Sequence, residues 1–134
     1  MTTNQSRLER WEARLKKVFD EIDVELEDLY GHRARRHPNR PAHGHTSNRE
    51  DDGLFDIGAA FTVGIGSQYG PGYVVQARIA TLDPVPPRIR EKFEAEVIRR
   101  LREKLPAAFP DTILHVDRDG PVYKIHGDLS LGQL

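Results

Sequence analysis

Two histidine-bearing stretches carry side chains able to do chemistry. In His115-Val116-Asp117 an imidazole and a carboxylate stand two residues apart. On a strand, alternation puts such a pair on one face, where both can reach one cation or bond to each other. His126 and Lys124 lie a short turn further on, on a second candidate strand. The other stretch is His43-Gly44-His45, preceded by His32 and His37. Imidazole is the commonest nitrogen ligand for zinc, so His115, Asp117, His126, His43 and His45 form the candidate metal set, with Zn2+ as the cofactor to expect. The arginines around the second stretch, Arg33, Arg35, Arg36 and Arg40, repel a cation. They suit phosphate or an acidic surface, which makes an acidic protein or RNA the alternative partner of this loop.

Other chemistries lack their anchors. Gly64-Ile65-Gly66-Ser67-Gln68-Tyr69-Gly70 has the glycine density of a nucleotide loop, but its last glycine comes one place late and no helical pattern follows. A hairpin turn is the better reading. Neither a Gly-x-Ser-x-Gly elbow nor a His-Glu-x-x-His helix is present. Asp51 and Asp52 sit in a polar stretch with nothing to shift a carboxyl pKa. With no cysteine, disulfides, thiolate zinc sites and cysteine catalysis are excluded. An enzyme would have to use His115 as general base with Asp117 orienting it, and would need a deep pocket beside them.

The elements that must position these groups can be read from periodicity. Leu8, Trp11, Leu15, Val18, Ile22, Leu26 and Leu29 recur every three or four residues, which predicts an amphipathic helix within residues 1–30, capped by Ser6 with Glu9. Its first half is basic, and its second half carries Asp20, Glu21, Asp23, Glu25, Glu27 and Asp28. Acid at a helix C-terminus opposes the dipole, so this helix must be stabilised by its packing. Residues 31–53 read as an Arg/His-rich loop. From Ile57 the period becomes two: Ile57, Ala59, Phe61, Val63 and Ile65 predict a strand, and Tyr73, Val75, Ala77 and Ile79 a second one in a hairpin.

Asp83-Pro84-Val85-Pro86-Pro87 stops that strand and starts a helix, whose apolar residues Ile89, Phe93, Val97, Leu101 and Leu105 recur every fourth position up to Pro106 and Pro110. Thr112 to Asp117 is a third strand with His115 and Asp117 outward, and Val122 to His126 a short fourth strand at the edge. A core spanning 54–127 and a tail over 128–134 complete the organisation. The predicted fold is α+β, a two-layer, ferredoxin-like sandwich in the order helix-strand-strand-helix-strand(-strand). Its sheet is expected to be mixed, because the strand-helix-strand unit favours parallel neighbours, and to be covered on one face by the two helices.

Lys+Arg number 20 against Asp+Glu 21, a balance that argues against nucleic-acid binding over the whole surface. A chain with 31% charged residues, no apolar run of about 18 residues and a polar start is expected to be cytoplasmic, without membrane insertion.

The stretch from Gly53 to Asp117 resembles the cytoplasmic C-terminal domain of cation diffusion facilitator transporters. The resemblance lies in Gly72-Tyr73-Val74-Val75 opening the second strand, in the Asp83-Pro84 break, in Phe109-Pro110, and in His115-Val116-Asp117. It implies a homodimer whose His115 and Asp117 help bind zinc at the subunit interface. The family's further histidine near the start of the second helix has no match in Arg88–Phe93. A third ligand would come from His126, the Arg/His loop or a second subunit. The function expected is thus a non-catalytic, homodimerising domain that binds a divalent ion on the open sheet face.

Overall fold

The computed structural model describes residues 3–30, 55–80 and 85–128. Helix α1 spans Thr3–Tyr30, followed by strands β1 (Phe55–Thr62) and β2 (Gly72–Ile79), helix α2 (Pro87–Ala108), and strands β3 (Leu114–Asp119) and β4 (Val122–Gly127). Two helices and a four-stranded sheet make the α+β arrangement that the periodicities predict. The candidate loop 31–53 and the tail from 129 lie outside the described residues.

The sheet order is β1-β2-β4-β3, and every neighbouring pair is antiparallel. The expected mixed sheet is therefore corrected. β2 and β3 do run in the same direction around α2, but β4 lies between them, so the fourth strand is interior and not an edge. The tight return makes this possible. Asp119 pairs with Val122 across Gly120-Pro121, with Gly120 at a φ of 65° that glycine adopts at little cost. The insertion places Ile125, fully buried, in the middle of the core.

The apolar stripe of α1 is buried from Trp11 through Leu15, Val18, Ile22 and Leu26, and Phe19 joins it. Leu29, the last expected member, is exposed, and the helix begins at Thr3, a turn before the expected Ser6 cap. On α2, Val97, Leu101 and Leu105 are buried together with Ile98, while Ile89 is exposed. A strict four-residue repeat drifts around a helix of 3.6 residues per turn, so its far end rolls off the core. Pro106 does not end α2. It sits within the final turn, and the helix closes when Phe109 N–H donates to the Leu105 carbonyl (2.8 Å). β1 stops at Thr62, short of the expected Val63 and Ile65, because Gly64 and Gly66 take left-handed φ angles of 75° and 77°.

The acidic second half of α1 faces the basic side of α2. Glu25 accepts from Arg100 (2.6 Å) and Lys104 (2.7 Å), Lys104 also reaches Glu21 (3.5 Å), and Arg100 bonds Glu96 (2.8 Å). Burial alone would raise the Glu25 pKa, but the Lys104 and Arg100 hydrogen bonds and charges outweigh it and hold the carboxyl below its ordinary value. The Arg99 hydrogen bond, which outweighs the effect of burial, and then Arg100 do the same for Glu96.

Between the depressed folded value and the ordinary 4.5, the unfolded chain binds protons that the folded chain does not. Stability is therefore expected to be full above about pH 5 and to fall as pH drops through and below 4.5. Each carboxylate should account for about 0.2–1 kcal/mol at this exposure. Urea midpoints measured between pH 3 and 7 check this, and Glu25→Gln should flatten the slope. A slope unchanged in that variant would remove Glu25 from the account.

Candidate functional site on the outer sheet face

Both helices pack on the sheet face that carries Ile57, Tyr73, Val75, Val116 and Ile125. Alternation sends His115, Asp117 and Asp119 of β3, and Lys124 and His126 of β4, to the opposite face. The register sets His115 beside His126 and Asp117 beside Lys124. The expected His115–Asp117 pair is replaced by a diagonal one: His126 Nε2 lies 2.9 Å from Asp117 Oδ2. The His126 and His115 rings face each other at 5.4 Å between centroids, and His115 is exposed.

This half of the face is not open. The β1–β2 loop lies across it, and Tyr69 stacks on the His126 ring at 4.2 Å. Lys124, only 2% exposed, donates to Asp119 Oδ2 (2.6 Å), Ser67 Oγ (2.7 Å) and the Gly70 carbonyl (2.8 Å). Three N–H donors meet three acceptors, the condition for burying an ammonium without a large penalty. Ser67 Oγ in turn donates to Asp119 and accepts from the Tyr69 N–H at 3.1 Å. The Lys124 hydrogen bond, then that of Ser67, holds the Asp119 carboxyl below its ordinary value.

The glycines of the loop serve this crossing. A Cβ on Gly64 would lie 2.0 Å from the Gly70 carbonyl oxygen, and one on Gly72 2.5 Å from that of Ile125. The nucleotide-loop glycine pattern is thus accounted for by a hairpin turn folded onto its own sheet.

Lys124 was legible as an outward residue, but its burial and the Ser67–Tyr69–Gly70 contacts were not. The only sequence signal was a lysine amid the apolar residues of a strand, with a polar, glycine-rich turn elsewhere in the chain. His43, His45, Arg33, Arg35, Arg36 and Arg40 lie outside the described residues, as do Asp51 and Asp52. Among the described residues no group of three or more His, Asp or Glu side chains is placed to hold a metal ion. Among the described residues, clefts are formed on other parts of the molecule. One of about 230 Å³ lies between α1 and β1, and one of about 520 Å³ between β2 and the start of α2. No described helix is long and apolar enough to cross a membrane.

Fold and site together define a two-layer α+β domain whose sheet is strapped by its own first hairpin loop. Residues 6–127 match a family described as "Uncharacterised protein", and the chain belongs to that family. It is similar to an "Uncharacterized protein" of Borreliella burgdorferi strain B31, 37% identical over 124 residues that cover 92% of this chain and 97% of the relative. No solved structure matches the chain.

Proposed function

We propose that this chain is a non-catalytic, homodimerising domain. The observation that supports the non-catalytic part of this reading is the mutual pairing of its reactive-looking groups. Lys124, Ser67 and Asp119 satisfy one another, and His126 is held by Asp117 under the Tyr69 ring. Such groups fix a loop; a nucleophile or general base needs a free valence facing substrate. Both clefts also lie away from His115 and His126. Sedimentation equilibrium of the full chain tests the reading. A dimer at micromolar concentration is expected, and a monomer up to about 100 μM, a concentration at which even weak specific pairs associate, would overturn it.

A second reading, a divalent ion on the same face, is favoured by the His115 and His126 rings meeting across the β3–β4 ladder. Two imidazoles supply only part of a zinc shell, so water or a second chain would complete it. A calorimetric Zn2+ titration of chelator-stripped protein should show binding that is lost in both His115→Ala and His126→Ala. Binding unchanged in both variants would remove this face as a metal site.

A further inference from the structure

Resting on the homodimer reading above, we infer that the seam is the outer edge of β1, where two copies join their sheets antiparallel about a two-fold axis near Ala59. Among the described residues β1 pairs with β2 alone, leaving its other edge without a strand. Edge strands are normally guarded by lysine, proline, a bulge or short length. Phe55–Thr62 is eight residues long, pairs with β2 without a bulge, and contains neither lysine nor proline. Its one charge, Asp56, is bound to Arg78 of β2 (2.8 Å). The central Gly58-Ala59-Ala60 lets another backbone approach closely.

The flanks of this edge are self-complementary. Phe61 is 53% exposed at one end of β1. The cleft beside the strand is floored by Ile57, Gly58 and Ala59 and backed by Leu15 and Phe19. An antiparallel two-fold at Ala59 sets Phe61 of each copy opposite Ile57 of the other, at that cleft.

The charges agree with the same axis. Glu12 bonds the Tyr73 hydroxyl (2.8 Å), and Tyr73 pairs with Phe61, while Glu27 accepts from the Phe55 N–H (3.4 Å). From Glu12 to Glu27 the helix rises about 22 Å, close to the ~20 Å of strand from Phe61 back to Phe55. α1 therefore runs antiparallel to β1, with its Lys16–Asp20 turn level with Ala59 and Gly58, and both residues line the cleft. The two-fold then lays the two α1 helices side by side, with the Lys16–Asp20 turn of each against that of the other. The Lys16–Asp20 pair of one copy (3.0 Å) then meets that of its mate in one four-charge cluster.

A charge-swap mixing experiment tests this. Lys16→Asp makes both positions acidic in every copy, and Asp20→Lys makes both basic. Each variant alone should dimerise roughly tenfold to a hundredfold more weakly than wild type, since like charges meet twice at the axis. An equimolar mixture should recover a dimer near wild-type affinity, because each cross-pair is then opposite in sign. Circular dichroism and melting of each variant establish that the fold persists. Phe61→Asp, at an exposed side chain, leaves the helix charges untouched and should weaken the dimer as well. A wild-type dimer that all three variants leave unchanged overturns the β1 seam while the homodimer stands. Two weakened variants that fail to recover on mixing also overturn it. A monomeric wild type overturns both readings.

Discussion

Replacing Phe109 with alanine is expected to destabilise the fold by about 3–5 kcal/mol, the range for truncating a buried aromatic. Phe109 lies just past α2 and is 2% exposed. Its ring stands 4.8 Å from that of Trp11, and the Arg14 guanidinium lies 5.4 Å over it. Trp11 in turn stacks on Tyr73 at 5.2 Å. Through Trp11, this side chain thereby ties the end of α2 to the first half of α1 and to the sheet. Chemical unfolding followed by fluorescence is a direct readout, because Trp11 is the only tryptophan and touches the deleted ring. Phe109→Leu, which keeps most of the volume, should cost under about 1.5 kcal/mol. Arg14→Ala should cost about 1 kcal/mol or less, as an exposed cation–π contact. A loss below about 1 kcal/mol in Phe109→Ala would mean that the aromatic cluster is not a determinant of stability.

What the sequence made legible were features that repeat locally. The three-and-four spacing from Trp11 to Leu26 reports a helix face whatever that face packs on, and all five residues from Trp11 to Leu26 on that stripe are buried. The alternation in Tyr73–Ile79 and in Leu114–Asp117 likewise separates the core side from the side bearing His115 and Asp117. Strand order is a different kind of quantity. Val122–His126 alternates as well at an edge as in the centre, and only the β2 partners found by Lys124 and Ile125 decide. The diagonal His126–Asp117 contact depends on that pairing, so no spacing within β3 foretells it. The acid-over-base contact between α1 and α2 was half visible. The acidic run was plain, and the need for compensation was plain, but Arg100 and Lys104 become its partners only through packing.

The loop over the outer face is the clearest case of structure made by one buried group, and Lys124→Met should release it. Methionine keeps an unbranched stem of similar length, so the apolar contacts of the side chain are largely retained. What is lost is the ammonium that joins Asp119, Ser67 and the Gly70 carbonyl. Removing one partner of a buried ion pair leaves its acceptors desolvated, and a loss of about 3 kcal/mol is expected for Lys124→Met. The loss should be local before it is global. Tyr69 should leave the His126 ring, and cleavage by a protease within residues 63–71 should accelerate while the unfolding of the helices shifts less. Adding Asp119→Asn to Lys124→Met should restore part of the stability, because the unpaired carboxylate is then neutral. Lys124→Arg should fail to rescue, since a planar guanidinium cannot place three donors as a compact ammonium does. A Lys124→Met protein with wild-type stability and an uncleaved loop would show that the Gly64-to-Gly70 turn holds itself closed. The lysine would then be a passenger, its burial a consequence of a fold determined elsewhere.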